Sequence, residues 1–185
     1  MHSRRSTLYT LSLIASLCAC TSTRAEAPIA PAIDLHDLPD SDGEWQEGVA
    51  LIAAPQETVR YWLTDYAAWS QRFPDMEWSE VLPDDERGRH LVRFRSRIAN
   101  CVFLIAEEVQ PGLLVFDGFA PHIHTQGRIY LVPEGPGRTR VLMQSTAEVH
   151  GFIGLFATKG YKRSSAFKVT RSHLTALLAL AKAKP

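Results

Sequence analysis

The chain is short of cysteine, of excess charge and of long apolar runs, and each shortage closes off a class of protein. Three cysteines in 185 residues cannot build a disulfide scaffold. Cys18 and Cys20 lie near the start, which leaves Cys101 as the one thiol of the remaining chain. Lys+Arg and Asp+Glu both number 20, so the formal net charge is zero. Without a basic excess the chain lacks the electrostatic footprint of a nucleic-acid binder. No apolar run reaches the ~20 residues that a membrane-crossing helix needs. There is no G-x-S-x-G, and so no nucleophile elbow. A P-loop, G-x-G-x-x-G, H-E-x-x-H and C-x-x-C are also missing, which counts against nucleotide, zinc-protease and thiol-redox chemistry. Large apolar side chains are plentiful. Four Trp, five Tyr and eight Phe, within a hydrophobic content of 45%, are enough for a packed core.

The N-terminus reads as an export signal. Arg4 and Arg5 stand in an acid-free opening, and Leu8–Ala19 follows as a short apolar run. Two cleavage sites compete. Leu17-Cys18-Ala19-Cys20 resembles a bacterial lipobox, which would make Cys20 the lipid-bearing first residue of the mature chain. Ala25-Glu26-Ala27 is an A-x-A site, which would release a soluble chain. Cys20 stands directly at the end of the apolar run, so the lipobox is the preferred site. A lipid anchor on Cys20 would hold the protein at a membrane surface. Removing Arg4 and Arg5 from the 20 basic residues leaves 18 against 20 acidic ones. A hydrophobic small molecule or lipid is then a better partner than a polyanion. The expected organisation is a signal peptide over 1–19, a flexible tether over 20–43 and a ligand-binding domain over 44–185. The expected location is the bacterial periplasm or envelope.

Within 44–185 the hydrophobic period changes twice. Gly48–Ala54 reads as a strand. Pro55 and Glu57 then mark a helix start, and Val59, Trp62, Leu63 and Tyr66 form a helical stripe. Trp69 and Phe73 extend it into a second short helix, stopped by Pro74. From Glu77 to His150 the period is two. Val92, Phe94 and Ser96 alternate with Leu91, Arg93, Arg95 and Arg97, and Val141, Met143, Ser145, Ala147 and Val149 alternate with more polar neighbours. Pro-Asp, Asn and Pro-Gly turns separate about six strands here. After Gly151, Ala166, Val169, His173, Leu174, Leu177, Leu178 and Ala181 make the stripe of a long final helix.

This order, with Pro55, Glu57 and Val59 in a P-x-E-x-V helix start and Asp65 with Trp69 in a D-x-x-x-W turn, resembles the START/Bet v 1-like superfamily. Its bacterial members are often described as polyketide cyclase/dehydrase or coenzyme-Q-binding START-like proteins. The resemblance spans roughly 44–183 and implies an α+β helix-grip. A curved antiparallel sheet of about seven strands would wrap a long C-terminal helix, with two short helices after the first strand. It also implies an apolar cavity between sheet and helix. The family has no invariant catalytic set, so no residue inherits a catalytic role.

On strand parity Val92, Phe94, Ser96, Val141, Met143, Ser145 and Ala147 are expected to line the cavity, with Tyr130 and His173 as further candidates. Several are small, which leaves room for a guest. Phe152, Ile153, Leu155 and Phe156, set among glycines before the final helix, are candidates for a lid or a membrane contact, with Lys159, Lys162 and Arg163 beside them. His122-Ile123-His124 would present two rings on one strand face, and His150 or Asp117 would have to complete a metal site. The simpler expectation is no metal and no cofactor. Arg93, Arg95 and Arg97 line one strand face and are expected to pair with acids across the strands on the solvent side. The leading expectation is a non-catalytic carrier of a hydrophobic ligand. A cyclase, dehydratase or hydrolase using His173, His122 or Tyr130 as acid/base, and an envelope interaction module, are the alternatives.

Overall fold

The computed structural model describes residues 33–39, 41–154 and 157–183. The leader, Cys20, Leu155 and Phe156 lie outside the described residues, as does the side chain of Ile153. In chain order the elements are β1 (Asp34–Asp37), β2 (Gln46–Ile52), α1 (Gln56–Thr64), a 3-10 turn (Tyr66–Ala68), α2 (Trp69–Arg72), β3 (Met76–Leu82), β4 (His90–Ser96), β5 (Cys101–Gln110), β6 (Leu113–Ala120), β7 (Ile123–Pro133), β8 (Thr139–Val149), α3 (Gly151–Gly154) and α4 (Lys159–Ala183).

The strands form one antiparallel sheet in the order β1-β2-β8-β7-β6-β5-β4-β3. From β3 to β8 each strand pairs with its neighbour in sequence, as hairpins and short turns dictate. The exception brings β2 beside β8, with Gly48 opposite Met143 and Ile52 opposite Thr139. This pairing joins the two ends of the domain, and α4 packs across it. Gly48 makes the close approach possible. A Cβ there would stand 2.3 Å from Thr170 Cγ2 and 3.1 Å from Leu174 Cδ1.

The α+β helix-grip is the expected one, with eight strands instead of about seven. The additional strand corrects the expected tether, because Asp34–Asp37 lies inside 20–43 and pairs with β2. Its position is fixed by partners more than by its own pattern. His36 Nε2 lies 3.1 Å from a Glu47 oxygen, and Arg163 Nε donates to Asp37 Oδ1 at 2.8 Å.

The α1 stripe behaves as its period requires, with Val59, Trp62 and Leu63 buried. Pro55 stands one place earlier than expected, as the capping residue. Tyr66, Trp69 and Phe73 continue the stripe into an aromatic cluster with Phe94 and Phe103, in which Trp69 meets Tyr66, Phe73 and Phe94 edge-on. These rings, with Ile52, Leu114, Val141, Leu174 and Leu177, form the core between the sheet and the helices.

Candidate functional site: the concave face of the sheet

Register decides which side chains face α4. Met143 is opposite Gly48 on one side and Ile129 on the other. The same face continues through Leu114, Ile105 and Val92, and through Phe103 opposite Phe94. Val92, Phe94, Ser96, Val141, Met143, Ser145 and Ala147 all lie on this face. Tyr130 does not. It is opposite Leu142, between Ile129 and Leu131, which are both buried on the concave side. Tyr130 therefore sits on the outer face, one residue out of phase with the cavity candidates, because a strand turns alternate side chains to opposite faces.

Burial along the concave face is graded. At the end nearest α1, Ile52, Thr139, Val141, Leu131 and Leu114 are almost fully covered. At the other end Ser145, Ala147, Thr125, Ala120 and Cys101 are only half-buried. Ala166 and Val169 in the first half of α4 are also half-buried, while Leu174 and Leu177 in its second half are fully buried. The helix thus seals one end of the face and leaves small, mainly apolar side chains within reach of solvent at the other. Cys101 stands at this open end, and burial pushes its thiol pKa up, which disfavours the reactive thiolate.

One acid lies on the concave face. Glu107 follows Phe103 and Ile105 at the same parity, opposite His90 on β4 and Phe116 on β6. It is 3% exposed. Tyr66 Oη donates to Glu107 Oε2 at 2.5 Å. Burial pushes the carboxyl up to about 7, against the opposing pull of the Tyr66 hydrogen bond and of His90. Burial and the neighbouring carboxylate likewise push the Tyr66 phenol up, so it remains a donor. His90 stands at the rim, its ring 5.8 Å from that of Tyr66 and its Nδ1 3.1 Å from Asp84. Glu107 was missed in the sequence, although the alternation of Phe103, Ile105, Glu107 and Val109 carried the signal.

His173 is engaged structurally. Its Nε2 lies 3.0 Å from Asp75 Oδ2, Ser172 Oγ donates to Asp75 Oδ1 at 2.9 Å, and the ring lies 4.9 Å from that of Phe73. Burial raises the Asp75 pKa, but the charge and hydrogen bond of His173 and the Ser172 bond outweigh it, so the carboxyl sits below its ordinary value. Ser172 and His173 both bond to Asp75, an arrangement that ties α4 to the start of β3 and differs from a nucleophile–base pair.

The remaining candidates lie on the outer face or at turns. His122 is in the β6–β7 turn with φ 70, and His124 stacks on Phe119 at 4.7 Å on the outer face. The two rings do not share a strand face, and among the described residues no three His, Cys, Asp or Glu are placed to hold a metal. Asp117, the possible completing ligand, lies within β6 and is reached by Arg89 and Gln126. Arg93 pairs with Glu80 and Arg95 with Glu77 across β3 and β4, as expected of a solvent face. Phe152 in α3 is 75% exposed. A groove on α4 is lined by Gly160, Arg163, Ser164, Phe167, Lys168 and Arg171, most of them exposed.

No family model matches the chain, and no curated protein matches it in sequence. Solved structures do match. A START superfamily protein from Mycobacterium smegmatis superposes with a TM-score of 0.64 at 20% identity, covering 75% of this chain and 97% of that one. An aromatase/cyclase from a Streptomyces species gives 0.62 at 19% identity, over 80% and 94% of the two chains. A STAR-related lipid transfer protein from Xanthomonas axonopodis gives 0.56 at 16% identity, over 83% and 95%. With element order, sheet topology and these superpositions in agreement, the chain has the START/Bet v 1-like fold.

Proposed function

We propose that this protein binds a hydrophobic small molecule or lipid against its concave face and, exported and tethered through Cys20, carries or holds it at a membrane of the bacterial envelope. The observation that carries the binding reading is the graded burial of that face. Small side chains at Ser145, Ala147, Thr125 and Ala120 remain within reach of solvent on the concave face. A concave surface lined by apolar atoms with few polar groups suits an apolar guest. Affinity would come mainly from buried apolar area, at ~25 cal/mol per Å², less the cost of association. The fold adds support in kind, since its structural neighbours include a lipid transfer protein. The export reading rests on the N-terminal residues alone, Arg4, Arg5, the apolar run and the lipobox-like Leu17-Cys18-Ala19-Cys20.

Native mass spectrometry of the full chain after incubation with a membrane extract tests the binding reading. A stoichiometric apolar adduct is the expected result, and apoprotein across all lipid classes would overturn it. Tethering is tested separately by fractionating cells that express the full chain or Cys20→Ala. The native chain is expected with membranes and the variant in the soluble fraction. The neighbouring aromatase/cyclase favours a second reading, an enzyme acting on a hydrophobic substrate at the same face. Turnover of such a substrate by the purified protein would establish it.

A further inference from the structure

Helix α4 departs from the charge balance of the whole chain. Its 25 residues carry Lys159, Lys162, Arg163, Lys168, Arg171 and Lys182 and no Asp or Glu, in a chain whose basic and acidic residues both number 20. Several arginines of the sheet stand against acids, Arg93 with Glu80, Arg95 with Glu77 and Arg140 with Glu134. Of the six cations on α4, only Arg163 has such a partner among the described residues, Asp37 of β1. Lys159 Nζ donates to the Asp42 carbonyl at 3.3 Å. Three of the six also oppose the helix itself. Lys159, Lys162 and Arg163 occupy its opening turns, where the backbone dipole disfavours positive charge, and no acid offsets them in the first turn. Lys168 and Arg171 are exposed along the groove, beside Gly160 and Ser164, whose small size leaves the cations standing clear. Tyr161, among them, is 65% exposed.

We propose that the exposed side of α4, from Lys159 to Arg171, lies on an anionic lipid bilayer, whose phosphates supply the counter-charge that the chain does not. This rests on the membrane part of the function proposed above and names the surface that meets the lipid. The cations extend over about 18 Å of helix, which fits a plane of headgroups and exceeds a single small anion. An exposed tyrosine among them suits the layer between headgroups and acyl chains. A second copy meeting this side about a two-fold axis would set like charge against like.

The test is sedimentation of the full chain bearing Cys20→Ala, which removes any acyl anchor, with phosphatidylcholine vesicles prepared with or without phosphatidylglycerol. Binding is expected only with phosphatidylglycerol at low ionic strength, and is expected to disappear in about 1 M salt, where screening shortens to ~3 Å. Each cation near an anionic surface raises the partition roughly fivefold, so Lys168→Gln with Arg171→Gln is expected to weaken binding about 25-fold. Arg87→Gln with Arg138→Gln, an equal loss of charge at exposed turns of the sheet, is expected to leave it nearly unchanged. Equal weakening by the two pairs, equal binding to both vesicles, or no binding overturns the assignment. Heparin binding that displaces the vesicles and is lost with Lys168 and Arg171 would make the partner a soluble polyanion and overturn it too. Fractionating cells in high salt removes this contact, so tethering through Cys20 is read independently, and an apolar adduct in native mass spectrometry stands whichever way the vesicles behave.

Discussion

A single buried side chain can set the pH response of this fold. The Glu107 carboxyl, pushed up to about 7 from an ordinary 4.5, holds its proton in the folded chain where the unfolded chain has released it. The stabilising contribution is full below the unfolded value and is lost as pH rises from about 4.5 to about 7. The loss is on the order of 3 kcal/mol. Urea unfolding of the native chain at pH 4.5 and pH 8 is expected to show this decline, and Glu107→Gln to flatten it; an unchanged slope in E107Q would place its origin elsewhere. Asp75 acts with the opposite sign. Its lowered pKa contributes stability above the ordinary carboxylate range that disappears as pH falls through the folded value. Asp75→Asn is expected to cost about 2 kcal/mol at pH 7, seen in the same unfolding experiment, because a buried carboxylate loses its bonds to His173 and Ser172. Neither group was legible beforehand as the centre of a network. The partners of Asp75 lie on α4, far along the chain, and burial of Glu107 depends on Tyr66 coming to rest above it. Parity was enough to mark the face that Glu107 occupies, and the same rule applied strictly would have put Tyr130 outside.

Elements were more readable than contacts. A period of two from Glu77 to His150 and of 3.6 at both flanks led to the strands and helices, because one-sided burial imposes those periods directly. The chain-distant pairing of β2 with β8 and the helix seated on it carry no local signature; the fold-level resemblance supplied the helix against the sheet but not the pairing. β1 was hidden for another reason. Four residues pairing with an existing edge need no amphipathic run, and Pro31 and Pro39 on either side suggested a spacer. The joint between helix and sheet is tight at Gly48. Gly48→Val is expected to destabilise by about 1–3 kcal/mol, since the added atoms meet Thr170 Cγ2 and Leu174 Cδ1 and α4 must retreat. Hydrogen exchange should then quicken along α4 with little change at the β5–β6 hairpin. Uniform quickening throughout would mean that the helix and sheet unfold as one unit.

At the scale of the molecule, the helix seals one half of the concave face and leaves the other within reach of solvent. A ligand bound there stabilises the folded chain by mass action, by about 2.7 kcal/mol at a hundredfold excess over its dissociation constant. The melting temperature should therefore rise when a membrane lipid extract is added to the native chain. An unchanged midpoint across lipid classes would overturn binding at this face.

The short first strand has a mechanical consequence. β1 meets β2 through four residue pairs, with the Arg163–Asp37 contact tying it to the opening turns of α4. Force applied to β1 is thus delivered to the sheet margin beside the helix. Peeling that margin would uncover Leu35's place over Gly48, under the helix that covers the concave face. A protein pulled through β1 would loosen first at the margin where helix and sheet meet.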